Sequence, residues 1–584
     1  MQQTIGVDKL KYILSQVKHP SRYIGGEWGA ICEQKANSAT ICLAFPDLYE
    51  VGMSYLGFQI LYSLINSLPY ATAERVYAPW VDAETVIRKE NTPLWSLETK
   101  NPLKNFDAIG FTLQYELSYT NILTILSLAN IAFRSDKRTD DDPIIVAGGV
   151  GALYPAPLEA FVDVFLLGDG EATLPRLMKV LKEMKGQSRD AKLKEIAKIK
   201  GAYVPHCSVL PATRVIVENL ENEFIPNTMI VPNTSIVHDR VAVQVFKGCT
   251  RGCRFCQAGI IDRPVRERNS KSVLQQIENL LKFTGWDEVG LLSLATCDWS
   301  CLKETLDKLS EYLAKDKDRL SLPSLRVDAF SVGMAATLEK LRKGGLTFAP
   351  EAGTQRLRDV INKGVTDNDI NDALTSTFEH GWDRVKLYFM MGLPTETDED
   401  LDGITEICNR AFSIAKQYKR RGDINVSVAG FVPKPHTPFQ WEKQATIEEL
   451  WEKGKRIKHS IKNKHISLSY HEPEQTFLEG VFARGDNKLS DVLECVWNMG
   501  ERFDGWTEHF NFENWRKAFA ETGIEPTTYT RKINLSDTLP WDHINVGVTK
   551  EFLLEEREKA YMTETTHDCR QGCNACGWQD ICKK

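Results

Sequence analysis

The sequence predicts an α/β protein in three parts. These are an N-terminal parallel sheet covered by helices, a central partial (β/α)6 barrel, and a helical C-terminal region ending in a cysteine-rich tail. Three observations predict it. Short apolar runs alternate with helix-periodic segments from about residue 38 to 185, and again from about 240 to 440; strands that return parallel through helices read this way. From about 441 to 560 the sequence turns charged, tryptophan-bearing and helical. Of the 14 cysteines, seven fall in two tight clusters, at 249–256 and 569–582.

In chain order, "ATICLAFP", "FDAIGFTL", "DPIIVAGG" and "VDVFLLGDGE" read as buried strands, and "MSYLGFQILYSLIN" and "TLPRLMKVLKEMK" as helices. Ligands in such sheets sit beyond the carboxyl ends of the strands. Residues 1–195 form this first domain, and 196–235, rich in Asn and Pro, a linker. Over 236–440 the strands are "VAVQVFKG", "EVGLLSLAT", "LPSLRVDAFS", "LTFAPEAG", "RVKLYFMMGLP" and "INVSVAGFVPK". Six βα steps suggest an incomplete barrel whose functional residues gather at the C-terminal strand ends. Residues 441–560 form the helical domain and 561–584 the tail.

The formal net charge is -7 and the pI ≈ 6.0, so no basic excess announces nucleic acid. The start lacks the apolar core of a signal peptide, and no apolar run is long enough to span a bilayer. A cytoplasmic location is expected. Cysteines there stay reduced, which makes metal ligation the natural reading of the two clusters. The isolated Cys32, Cys42, Cys207, Cys408 and Cys495 are expected to be small buried apolar residues.

"CTRGCRFC" places Cys249, Cys253 and Cys256 just after a strand, with no histidine between His238 and His380. Three thiolates without a fourth ligand leave a metal position open, as catalytic metal sites do. "KGCTRGCRFCQAG" resembles the radical SAM signature, with Phe255 as its aromatic. The resemblance implies that the three cysteines hold a 4Fe-4S cluster whose fourth iron binds S-adenosylmethionine (SAM). Reductive cleavage of SAM then starts radical chemistry, fed by a donor such as flavodoxin or ferredoxin. It further implies SAM contacts from Ala295 and Thr296 in "SLATCD" and from Arg326 in "RVDAFS". Glu351 and either Arg356 or Arg358 in "FAPEAGTQRLRDVINKG" are implied likewise, with Gly392 and Pro394 of "GLP" at the adenine.

"GGVGALYPAPLEAFVDVFLLGDGEAT" resembles the end of the flavodoxin-like, cobalamin-binding-like domain that precedes many radical SAM barrels. The D-x-H-x-x-G motif, whose histidine ligates cobalt, is absent. The domain either holds cobalamin without that ligand or has lost it and serves as a lid or substrate platform. Tyr49–Ser54 and Gln114–Asn121 are candidate pocket walls. The resemblance runs through nearly the whole chain, including "YEVGMSYLGFQILY", "FVPKPHTPFQW" and "LEGVFARGD". It implies SAM cleavage on a substrate it does not name, with cobalamin-dependent methyl transfer as one outcome. The alternatives are corrinoid-independent radical modification, including that of RNA, and a non-catalytic corrinoid- or metal-responsive binding protein.

Cys569, Cys573 and Cys576 repeat the first spacing, and Cys582 follows six residues on. Four thiolates close a coordination shell, around either a second 4Fe-4S cluster or a zinc; the third reading is that Cys582 is not a ligand, which leaves an open iron that could hold substrate. Lys434 and His436 are expected at the barrel mouth; Arg484, Asp486 and His543 are weaker site candidates.

Overall fold

A computed structural model of the chain describes residues 4–316, 319–321 and 346–582. The N-terminal sheet has six strands: β1 (Ala39–Phe45), β2 (Ala71–Tyr77), β3 (Ala108–Thr112), β4 (Ile144–Gly148), β5 (Val164–Leu166) and β6 (Ala202–Tyr203), in the order β2-β1-β3-β4-β5-β6. The first five are parallel and β6 closes the edge antiparallel. The order 2-1-3-4-5 is the flavodoxin-like one, with its crevice where β1 meets β3.

Strands β1, β3 and β4 are near-continuous apolar runs because both faces are covered. One face packs on helices Leu56–Ser67 and Gly170–Glu183. The other packs on helix Tyr119–Leu128 and, beyond it, on helices Leu489–Asn498 and Phe512–Thr522 from the far end of the chain. Trp497 Nε1 donates to Thr124 Oγ1 at 2.9 Å, and Phe503 N to Asn121 Oδ1 at 3.0 Å, across this joint.

Strand β2 went unread in the sequence because it carries Glu74 and Arg75 in its middle, both fully buried. Each is matched. Arg75 pairs with Glu98 at 2.6 Å and Glu27 at 3.0 Å, and Glu74 accepts from Ser96 Oγ and Thr99 N. A buried charge is tolerated when its hydrogen bonds are met in this way.

The barrel strands form two parallel arcs. One holds β7 (Val241–Gln244), β8 (Glu288–Leu292) and β9 (Arg319–Ser321) in the order β9-β8-β7. The other runs β10 (Leu346–Glu351), β11 (Arg384–Met391), β12 (Asp423–Gly430) and β13 (Ile466–Tyr470) in sequence order. "LPSLRVDAFS", with Arg326, lies outside the described residues. Strand β13 falls within the stretch expected to be helical: "ISLSY" alternates apolar and polar residues because only one of its faces meets the core. Among the described residues no helix is long and apolar enough to cross a membrane. Cys42 and Cys408 are buried as expected, whereas Cys32 and Cys207 are exposed and Cys495 is half-buried.

Candidate active site

The loop after β7 begins with a turn only glycine fits. Gly248 has φ +87°, and a Cβ there would stand 2.6 Å from Pro264 O and 2.7 Å from Asp262 O. The chain then runs through Cys249–Cys256 into the short helix Gln257–Ile261, which Cys256 caps by accepting from Gly259 N at 3.3 Å. A Cβ on Gly259 would lie 3.4 Å from Cys256 Sγ and 3.9 Å from Cys249 Cβ, so the glycine leaves room beside the thiols.

Arg254 fixes the loop from within. Its guanidinium is fully buried, pairs with Glu556 at 3.1 Å, and donates to the carbonyls of Asp359, Val360 and Glu564 at 3.2, 2.9 and 2.8 Å. Arg251 points the other way, onto Asp298 at the end of β8 (2.6 and 3.0 Å). Asn362 Nδ2 donates to Gly252 O at 3.1 Å. The three thiols are thus presented by a loop braced from three sides.

Burial pushes the Cys256 thiol up to about 12, with Cys253 and Cys249 adding to the rise; Lys363 pulls the other way. Thiolates rather than thiols bind metal, so loading this site releases protons. Three neighbouring thiols with glycine-made room are the donor set that an iron–sulfur cluster takes. Among the described residues no three His, Cys, Asp or Glu side chains close on a single point as the ligands of one ion do.

The other expected site residues separate into those near the thiols and those used as braces. Glu351 ends β10 where the register shifts, holds φ +68°, and pairs with Lys363 at 2.9 Å. A non-glycine residue in that conformation costs about 1–3 kcal/mol, and such strain gathers at functional sites. Ala295 and Thr296 are buried at the end of β8, with Thr296 Oγ1 2.8 Å from Ser293 Oγ. Phe255 packs against the apolar cluster that holds Leu357, Leu393 and Phe431.

Gly392 (φ +80°) donates to the Glu396 carboxylate at 2.9 and 3.0 Å, which closes the turn through Pro394. Arg356 is tied to Thr395 and Asp400, and Arg358 is buried on the carbonyls of Val365 and Ala352. Both guanidiniums brace the strand ends. Lys363, Asn362 and Arg254 lie inside the quoted motifs, but nothing in those motifs marks their side chains as supports of the site.

Above the loop, Gln257 Nε2 donates to Pro435 O at 3.1 Å, which sets Lys434 close by. Lys434 lies between Glu116 (2.5 Å) and Glu479 (2.9 Å). His436 is buried, with Nε2 2.8 Å from Leu153 O, and burial pushes its pKa down from 6.5 to about 4. Stability from this ring is complete above pH 6.5 and is lost as pH falls toward 4. The loss amounts to about 3 kcal/mol. His436→Gln, which keeps a donor for Leu153, is expected to flatten the acid side of the thermal-stability profile across that window. Arg484 caps the carbonyls of Glu442 and Arg531, Asp486 accepts from Tyr529, and His543 lies beside Glu159, so these three serve packing.

Between the carboxyl ends of β1, β3, β4 and β5 and the strand leading into the cysteine loop lies a cavity of ≈ 480 Å³. Its walls include Gly148, Gly149 and Gly168 from the sheet, and Gln244, Phe246 and Lys247 from the barrel. None of the lining residues is a histidine. Of the expected walls, Ser54 and Gln114 line it, while Tyr49 bonds Glu27 and Asn121 braces Pro46 and Phe503. A Cβ on Gly148 would find only Leu166 O, at 3.9 Å.

Comparison with known proteins agrees with this architecture. Residues 57–205 match the family described as "Radical SAM proteins, N-terminal" and residues 243–408 the "Radical SAM superfamily". An uncharacterized protein of Methanocaldococcus jannaschii is 28% identical, over 78% of this chain and 90% of its own length. An uncharacterized methyltransferase of Pyrococcus horikoshii is 22% identical over 60% of this chain and 75% of its own. The radical SAM methyltransferase TsrM of Kitasatospora setae, solved with tryptophan and a SAM analogue, shares the fold: the TM-score is 0.54 at 14% identity, covering 83% of this chain and 100% of that one. The sheet and the barrel that carries the cysteine loop thus both match radical SAM family models, and the chain is an enzyme of the radical SAM superfamily.

Proposed function

We propose that the enzyme is a corrinoid-dependent radical SAM methyltransferase. The observation that carries this reading is the cavity of ≈ 480 Å³ joining the flavodoxin-like crevice to the strand that feeds the cysteine loop. When bound, the cluster and SAM supply a reductively cleavable sulfonium, and a corrinoid supplies a cobalt that carries a methyl group.

In this reading Cys249, Cys253 and Cys256 hold the cluster, and a flavodoxin or ferredoxin delivers the electron. Phe255, Ala295, Thr296, Glu351, Gly392 and Pro394 border SAM, and Lys363 orients Glu351. The glycines of the sheet give a flat ring system its clearance. Lys247, paired with Glu171 at 2.8 Å and Asp169 at 3.3 Å, offers polar contacts at the rim. The cavity lining offers no histidine that would ligate a cobalt, in keeping with the absent D-x-H-x-x-G motif. Lys434, clasped by Glu116 and Glu479 above the thiol loop, contacts the methyl acceptor. The Pyrococcus horikoshii relative, named as a methyltransferase, supports the same class.

The test is cobalt per chain after anaerobic purification with hydroxocobalamin. The wild type is expected to retain about one cobalt and to release methylated product. Gly148→Phe, which fills open space at a strand end, is expected to lose the cobalt and keep the iron. Wild-type protein without cobalt, or a variant that binds it normally, would refute the reading.

A further inference from the structure

The tail is built into the wall of the active-site loop. Cys569 N donates to Thr250 O at 3.1 Å, one residue past the first cysteine of the site. Asp568 accepts from Thr250 Oγ1 at 2.8 Å and pairs with Arg251 at 3.1 Å. Thr566 N donates to Asn362 Oδ1 at 2.9 Å, and the same side chain holds Gly252. On its other side the tail meets the turn before helix Lys550–Tyr561. Thr549 N donates to Cys576 O at 3.0 Å, and a Cβ on Gly577 would stand 2.2 Å from Gly547 O.

Within this frame the short stretch 569–582 carries four thiols, though their sulfurs do not yet converge on one point. Cys576, Cys569 and Cys573 each act electrostatically on Cys582. Two sulfurs already accept hydrogen bonds, Cys573 from Ala575 N at 3.4 Å and Cys569 from Asn574 Nδ2 at 3.6 Å. Cys573 and Cys582 are exposed, so their side chains have room to turn toward a shared centre.

An independent sign comes from Arg263. Its side chain is buried, stacks 5.1 Å over Phe552, and donates Nη2 to Arg251 O at 3.0 Å. Among the described residues its Nε and Nη1 find no hydrogen-bond partner. It acts electrostatically on both Cys569 and Cys582. A buried guanidinium without a full set of acceptors calls for an anion beside it. Four thiolates around one metal centre carry net negative charge, and sulfur accepts such hydrogen bonds in tuned metal sites.

We propose that Cys569, Cys573, Cys576 and Cys582 hold a second thiolate-ligated metal centre, clamped by Asp568, Arg251 and Asn362 onto the loop that carries the first. The centre is either one zinc or an iron–sulfur cluster. Its occupancy holds the catalytic loop in place. This assignment stands apart from the corrinoid reading, whose failure shows in cobalt alone.

The experiment compares iron and zinc per chain in anaerobically purified full-length protein with those in Cys573→Ala and Cys582→Ala, both at exposed positions and both checked for folding by circular dichroism. The expected result is a loss of about four irons or about one zinc with the iron of the first site retained. A drop in iron identifies a cluster and a drop in zinc a single ion. Metal content equal to wild type in both folded variants overturns the proposal, as does wild-type protein holding only the first site's iron. Asp568→Ala tests the clamp: the first cluster is expected to bleach about tenfold faster under a chelator, because charge-assisted hydrogen bonds to its loop are lost. An unchanged rate overturns the coupling.

Discussion

Arg254→Met is expected to lower the stability of the folded protein by about 3–5 kcal/mol, the usual consequence of removing one partner from a buried ion pair. Arg254 sits in the middle of the cysteine loop, yet its side chain points away from the thiols into the protein. It joins the loop to helix Gln355–Val360, to Glu556 on helix Lys550–Tyr561, and to Glu564 beyond it. Methionine fills the volume but leaves three carbonyls and the buried Glu556 short of a donor. Thr566 and Lys559 still contact Glu556, so the loss is not that of a wholly isolated charge. Denaturant unfolding measures the shift, and Glu556→Gln in the same background is expected to restore part of it. A shift under about 1 kcal/mol would mean that Arg254 is not the anchor of the loop.

Cys253→Ala is expected to abolish SAM cleavage, with 5′-deoxyadenosine and methionine release falling at least about a thousandfold, and to remove about four irons per chain. Cys253 is half-buried on a loop, and Arg254 next to it holds the backbone, so secondary structure is expected to persist. The readout therefore separates loss of a ligand from loss of fold. A variant that keeps its iron and still releases 5′-deoxyadenosine would place the cluster elsewhere.

Much of the architecture was legible because it depends on local pattern. Strands β1, β3 and β4 are apolar runs bounded by turn residues, and period and length suffice to read them. The cysteine spacing was legible because thiolate ligands lie close in sequence. Strand β2 was not, since Glu74 and Arg75 look like surface residues until Glu98, Glu27 and Ser96 are brought in from elsewhere in the chain. Strand β13 hid in polar alternation. Among site residues, Arg254 and Asn362 escaped notice because their partners lie up to 310 residues away. Arg356 and Arg358 fit a motif, yet the fold gives them backbone carbonyls and aspartates. Motif order reports the neighbourhood of a residue; its contacts are settled only by the packing of distant segments.

The joint between the N-terminal sheet and the last helices also bears on synthesis. The apolar layer made by this face and helix Tyr119–Leu128 is complete once Leu166 has been made, but the helices that cover that layer, Leu489–Asn498 and Phe512–Thr522, come some 350 residues later. At roughly 5–20 residues per second, a nascent chain carries that bare face for roughly 20–70 seconds. During that interval the uncovered apolar layer is open to other chains, which makes the ribosome-bound half-protein a client for a chaperone.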